Sequence, residues 1–234
     1  MDALHEVTGL KKGYGEGGAH VDVLRGIDVS IGRGELCVLL GPSGSGKSTF
    51  LNLIGGLERA DAGSIRVGDV DLTSLSDRGL GEYRRTTLGF VFQFYNLVED
   101  LTIRENIEVC QYLADDPLDV DGLLRSLGLW EQRDKFPPQV SGGQQQRCSI
   151  GRALVKKPRL LLCDEPTGAL DYETSKEILA LIEQVCREHG CTTVVVTHNA
   201  AIGRMATRRL HLREGLLVED VTNPSPVSAR DLAW

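Results

Sequence analysis

The residues best suited to chemistry lie in the stretch Gly41-Pro42-Ser43-Gly44-Ser45-Gly46-Lys47-Ser48-Thr49. Glycines let a backbone curl until several N–H groups point at one anion. Lys47 supplies a cation for the β- and γ-phosphates of a nucleoside triphosphate, and the Ser48 hydroxyl suits Mg²⁺. The flanks agree. Leu36-Cys37-Val38-Leu39-Leu40 reads as a buried parallel strand, and Phe50-Leu51-Asn52-Leu53-Ile54 continues as a helix. The N-terminus of that helix adds positive potential at the phosphates. The competing reading is a flexible Gly/Ser turn without a ligand. Its spacing would match G-x-x-x-x-G-K-S/T by chance in roughly one chain in a hundred.

Four further residues fit phosphoryl transfer to water, which needs a metal, charge neutralisation and a positioned water. Asp164 follows the apolar run Leu160-Leu161-Leu162-Cys163 and suits Mg²⁺. Glu165 can polarise the attacking water, or serve as a second acid beside the metal. Gln93 ends the run Leu88-Gly89-Phe90-Val91-Phe92; its amide suits the metal or the water. His198 follows Thr192-Thr193-Val194-Val195-Val196-Thr197 and can orient the water against the γ-phosphate. Ser141-Gly142-Gly143-Gln144 forms a second helix start with exposed amides. One nucleotide needs only one cradle, so this second start is either a contact to a phosphate held by another chain or an ordinary N-cap. Tyr14, alone in a glycine-rich loop, is either an adenine-stacking ring or a loop tyrosine packed on the sheet.

The elements that must position these residues alternate strand and helix. Residues 3–31 read as β-structure around a loop at Gly13, Gly15, Gly17 and Gly18. Residues 62–68 read as a turn and short strand, and 77–86 as a polar helix. Residues 101–113 and 120–129 have helical spacing, and Pro117, Pro137 and Pro138 punctuate that region. A helix over 174–189 should end at Gly190. A closing hairpin turns at Glu214-Gly215, and an extended tail follows Asn223. This pattern predicts a doubly wound α/β core, in which ligands sit at the carboxyl ends of strands. The phosphate loop, Gln93, Asp164-Glu165 and His198 all lie just after predicted strands, so one sheet edge should gather them. The expected division is an α/β core with a β subdomain (1–93 and 141–222), an inserted helical lobe (94–140) and a tail (223–234).

Composition narrows the function classes. A formal net charge of -7 in 234 residues disfavours a dedicated nucleic-acid binder. No apolar run approaches the ~20 residues that span a bilayer. The first residues lack the basic start and apolar core of a signal peptide. Six scattered cysteines without a C-x-x-C pair match cytoplasmic usage rather than a disulfide framework.

Taken together, these motifs resemble the nucleotide-binding domain of ATP-binding-cassette (ABC) transporters over nearly the whole chain. Gly41 to Thr49 resembles the Walker A motif, Gln93 the Q-loop, and Val140 to Gln144 the signature motif, with Val140 in place of the usual leucine. Leu160 to Glu165 resembles Walker B, Ala169-Leu170-Asp171 the D-loop, and His198 the switch histidine. Tyr14 matches the family's adenine-stacking aromatic.

The resemblance implies a P-loop NTPase fold with a RecA-like core, an antiparallel β subdomain and a helical subdomain. It implies ATP and Mg²⁺, an active ATPase, and a head-to-tail homodimer on ATP binding. Each nucleotide would then lie between one chain's Walker A and the other's Ser141-Gly142-Gly143, with Asp171 at the interface. Stretches such as Leu51-Asn52-Leu53-Ile54-Gly55-Gly56-Leu57-Glu58 and Thr102-Ile103-Arg104-Glu105-Asn106-Ile107 are similar to the MacB/LolD/FtsE-like group. That group implies a separate FtsX/MacB-like membrane permease, which would hold the chain at the cytoplasmic face of the membrane. Export, lipoprotein extraction and force transmission are the functions the group covers. Phe94 to Val98 would then contribute to a groove for a permease helix, or else to the core of the lobe. The readings weighed against this are a soluble cassette acting on nucleic acid or ribosomes, and a small-molecule kinase. Only 47 residues separate Gln93 from Ser141, with no heptads for a chromosome-type coiled coil.

Overall fold

The computed structural model describes residues 3–234. Two sheets organise it. The smaller is antiparallel, with order β2-β1-β4-β5: β1 (Ala3–Tyr14), β2 (Val21–Gly32), β4 (Ala62–Val67) and β5 (Val70–Asp71). The larger has six strands in the order β10-β9-β3-β8-β7-β6. Four successive strands of it, β3 (Leu36–Leu40), β8 (Thr192–Thr197), β7 (Leu160–Asp164) and the edge strand β6 (Leu88–Val91), run parallel. The expected hairpin is present as β9 (Arg208–Arg213) and β10 (Leu216–Thr222).

The continuous apolar runs are explained by burial on both faces. Side chains alternate across a strand. Leu36, Val38 and Leu40 of β3 therefore join one core, while Cys37 and Leu39 join the other. The first core holds α5 (Gly142–Leu154) and α6 (Tyr172–His189), together with α3 (Ile103–Gln111) and α4 (Val120–Ser126). The second is filled by Phe50, Leu51, Leu53 and Ile54 of α1 (Lys47–Ile54) and closed by the antiparallel sheet. Helix α2 (Asp77–Thr86) matches its sequence-predicted limits. Helix α6 ends at Gly190, with φ 59°. All six cysteines are free, and burial pushes the thiols of Cys148 and Cys191 up to about 12.

Three expectations need correction. Helices α3 and α4 are shorter than the periodicity suggests. A capping box of Thr102 and Glu105 starts α3, and Gly128, with φ 67°, turns the chain away after α4. The tail is not simply extended. Residues 229–231 form a turn of 3₁₀ helix, and Ala229 and Leu232 are buried. The Ala229 amide donates to Glu183 on α6 at 3.1 Å, and Trp234 meets the Tyr172 ring edge-on at 4.9 Å.

The junction of β1 with α2 buries a titratable group. His5 is 0% exposed; its Nε2 lies 3.1 Å from the Tyr83 hydroxyl, which donates to the Ile54 carbonyl at 2.9 Å. Nδ1 has no partner. The neutral ring with its proton on Nε2 satisfies that chain and leaves only a lone pair unpaired. Burial lowers the pKa of His5 to about 4. The folded state therefore rejects a proton that the unfolded chain accepts near 6.5. This contribution to stability is complete above pH 6.5 and is lost as pH falls from there through about 4. It amounts to about 3 kcal/mol at most. Denaturant unfolding at pH 7 and pH 4 should show a smaller acid-induced loss in His5→Leu than in the parent. Equal losses would show that His5 does not titrate on unfolding.

Candidate nucleotide site

The loop after β3 is shaped by glycines that no other residue can replace without strain. Gly41, Gly44 and Gly46 have φ of 157°, 76° and 101°. A Cβ on Gly41 would lie 2.2 Å from the Leu212 carbonyl oxygen, and one on Gly46 would lie 2.7 Å from Leu24. Helix α1 begins at Lys47, so the first N–H groups of its opening turn lack helical acceptors. Lys47 Nζ donates to the carbonyls of Gly41 (2.9 Å) and Pro42 (2.8 Å), and burial lowers its pKa against the opposing pull of Glu165 and Asp164. Ser45 Oγ is buried without a partner among the described residues. An orphaned hydroxyl, free amides and a buried ammonium make a donor set for an oxyanion such as a nucleotide phosphate.

The tips of the neighbouring parallel strands bring the acids to this loop. Ser48 Oγ donates to Asp164 Oδ1 at 3.1 Å. Burial raises the Asp164 pKa, the Ser48 hydrogen bond opposes this, and the Glu165 charge adds to it. Glu165 is left-handed, with φ 45°, and its N–H donates to the Val196 carbonyl at 3.0 Å. That turn directs its carboxylate toward His198, whose Nδ1 lies 3.0 Å from Glu165 Oε1. The Gln93 amide lies against Gly168, where a Cβ would approach Nε2 to 2.9 Å. Ser43, Gly44, Gly46, Lys47, Ser48, Thr49, Gln93, Glu165 and His198 line one open cleft of about 650 Å³. The oxygens of Ser48, Asp164 and Gln93 are hard donors of the kind Mg²⁺ takes.

Val23 also lines this cleft, and sequence reading missed it. It lies near Tyr14 only because β1 pairs with β2, Tyr14 opposite Val21. Tyr14 does not itself line the cleft. Its hydroxyl donates to Glu58, and the Lys12 ammonium sits 5.4 Å from its ring centre.

The second helix start stands apart. Ser141 caps α5 by a reciprocal pair: its Oγ accepts from the Gln144 amide (3.3 Å), and Gln144 Oε1 accepts from the Ser141 amide (3.0 Å). Neither Ser141, Gly142, Gly143 nor Gln144 lines the cleft. Gly142 lies under the Tyr95 hydroxyl and Gly143 against Thr174, where a Cβ would come within 2.7 and 2.5 Å. Asp171 caps α6 beside them, accepting from the Thr174 amide (3.0 Å) and hydroxyl (2.7 Å). These bonds hold its carboxyl below the usual range. Two helix N-termini thus share one surface.

The chain is similar to known proteins over nearly its whole length. A family model described as "ABC transporter" matches residues 24–168. The lipoprotein-releasing system ATP-binding protein LolD of Geobacter metallireducens is 43% identical over 225 residues, covering 94% of this chain and 100% of that protein. The macrolide export ATP-binding/permease protein MacB of Rhodopirellula baltica is 42% identical over 223 residues, covering 92% of this chain. The chain spans only 33% of that longer protein. The dimeric structure of a post-hydrolysis state of the ATP-binding cassette MJ0796, bound to ADP and Pi, superposes with a TM-score of 0.86 at 34% identity, covering 93% of this chain and 98% of that one. These relatives support the transporter reading over the nucleic-acid or ribosome alternative. The chain belongs to the ABC transporter family and is an ATP-binding, ATP-hydrolysing cassette with the P-loop ABC fold.

Proposed function

We propose that this cassette powers an FtsX/MacB-like permease carried on a separate chain, and that it hydrolyses ATP as a head-to-tail homodimer. The observation that carries the dimer is the separation of Ser141-Gly142-Gly143 from the cleft that holds Lys47 and Glu165. A second copy rotated about a two-fold axis would bring its α5 N-terminus to the open side of the cleft. Asp171, beside that N-terminus, would then lie at the interface. The relatives support the membrane partner by their printed names: a lipoprotein-releasing system and a macrolide export permease. Among the described residues no helix is long and apolar enough to cross a membrane. The cassette would therefore sit at the cytoplasmic face of the membrane through its permease.

Within each site the chain's own residues divide the work. The loop from Gly41 to Thr49 binds the phosphates, with Lys47 Nζ exchanging backbone carbonyls for phosphate oxygens. Tyr14 and Val23 flank the base. Ser48, Asp164 and Gln93 would hold Mg²⁺, which neutralises charge on the β- and γ-phosphate oxygens. Glu165 accepts a proton from the attacking water through the carboxylate oxygen that His198 leaves free. His198, exposed at the strand tip, orients Glu165 and reaches the γ-phosphate.

Glu165→Gln keeps the shape of the side chain and removes its basicity. It should retain ATP binding, lower turnover by about 10²-fold or more, and elute as a dimer on sizing with ATP. Monomer at saturating ATP with turnover intact would refute both the base and the dimer. A mixing experiment tests the geometry further. Lys47→Ala and Ser141→Arg should each be inactive alone. Mixed, they form heterodimers in which one composite site has both an intact Lys47 and an intact Ser141, so phosphate release should reappear. A mixture as inactive as its components would place the whole site in one chain.

A further inference from the structure

The stretch Leu51 to Glu58 leaves the phosphate loop along α1, yet none of its residues lines the nucleotide cleft. Its far end is nevertheless fixed in detail. Helix α1 ends at Ile54, and Gly56, with φ 62°, turns the chain back. The Asn52 carbonyl accepts from the Leu57 amide at 2.8 Å and from the Glu58 amide at 3.3 Å. The Asn52 side chain then donates to Glu58 Oε1 at 2.7 Å. One residue of α1 thus holds both the backbone and the carboxylate of Glu58. The other oxygen, Oε2, accepts from the hydroxyl of Tyr14 on β1.

A second acid steadies the chain on which that ring stands. Asp61 accepts from the Gly13 amide at 2.7 Å and from Lys12 Nζ at 2.9 Å, and its own amide donates to the Lys11 carbonyl at 3.0 Å. These bonds fix the backbone just before Tyr14 and place the Lys12 ammonium over the ring. Burial raises the Tyr14 pKa, the Glu58 hydrogen bond adds to this, and Thr49 opposes it. The phenol therefore keeps its proton and remains a donor to Glu58. Thr49 lines the cleft, so the Tyr14 hydroxyl stands at the cleft's edge. The residue is 42% exposed, so packing alone does little to orient it. The half-buried carboxylate of Glu58 supplies the orientation that packing does not.

We propose that Glu58 is a positioning residue for the base of the nucleotide: held by Asn52, it fixes the Tyr14 ring at the angle on which the base stacks. The inference rests on the reading that Tyr14 flanks the base, and adds to it the group that aims the ring. Stacked rings must lie nearly parallel and close. A ring free to turn must be ordered when the base binds, and a ring ordered beforehand avoids that loss of affinity. The choice of Asn52 as the support has a further consequence. Asn52 lies about one and a half turns beyond Lys47 on α1. One rigid helix therefore carries both the phosphate cradle and the support of the base platform, and sets the spacing between them.

Steady-state hydrolysis by the full chain tests this. Glu58→Ala should raise KM for ATP about fivefold, the effect of ordering one ring on binding, with kcat within about twofold of the parent. Tyr14→Phe should raise KM by the same factor. The double variant should raise it no further, because the two substitutions cut one bond. Glu58→Gln, whose amide can still bond both Asn52 and the phenol, should keep KM within about twofold of the parent. Inorganic tripolyphosphate carries phosphates without a base. As a competitor of ATP it should have the same inhibition constant for Glu58→Ala as for the parent. A parallel loss of tripolyphosphate binding would overturn the proposal, because Glu58 would then support only α1 and its loop. So would effects of Glu58→Ala and Tyr14→Phe that multiply in the double variant. Tyr14→Ala separates the inference from the reading beneath it. If Tyr14→Ala raises KM and Glu58→Ala does not, the Glu58 inference fails while the base reading stands. If Tyr14→Ala leaves KM unchanged, both fail.

Discussion

The structure depends on the register of its central parallel ladder. Leu40 pairs with Thr197, and Asp164 with Val196, so β3, β7 and β8 end at one level. The chain leaving each strand must therefore pass through the same small volume. There the phosphate loop, Glu165 and His198 meet. Glu165 takes a left-handed φ of 45°, which costs a non-glycine residue about 1 kcal/mol. Its N–H bond to Val196 continues the ladder by one residue and holds that conformation. The strain and the aim of the carboxylate thus have the same origin.

The ladder is kept rigid from both faces. α1 packs on one side and α5 with α6 on the other, so a shift of β3 would move both cores. Helix α5 adds a polar tie. Gln146, fully buried, donates to the Pro166 carbonyl at 2.8 Å and reaches the Phe92 carbonyl at 3.5 Å. One side chain thereby links the segments leaving β7 and β6, on which Glu165 and Gln93 stand.

The strand-tip edge was legible in the sequence because each part is local: an apolar run, a turn, then a polar residue. Fully buried parallel strands announce themselves as unbroken runs, and only Gly46-Lys47 opening a helix gives the phosphate cradle its pattern. What escaped depends on contacts between distant segments. Val23 joins the cleft through the pairing of β1 with β2. Tyr95 has the composition of a groove residue, but its φ of 59° carries the ring to Gly142. The tail's two prolines suggest an extended chain, and only the surface of α6 explains why Ala229 and Leu232 bury. Arg84, Arg152 and Lys156 look like ordinary surface charges until the fold turns each onto a backbone carbonyl, those of Gly56, Tyr95 with Asn96, and Arg84.

The same geometry explains how a nucleotide site can communicate with a distant surface. After β6, Phe92 faces an apolar groove beside α3 and α5, and Gln93, the next residue, faces the nucleotide cleft. One peptide unit separates the two environments. Beyond it, Tyr95 and Asn96 both have positive φ, and Arg152 holds both of their carbonyls. Arg152 lies in the last turn of α5, whose first residues follow Ser141. A helix of 13 residues is about 20 Å long and does not compress. The Ser141 end and the Arg152 end therefore belong to one rod, and Arg152 ties that rod to the segment that follows Phe92 and Gln93. The rod that presents the second helix start is also the rod that anchors the chain after β6.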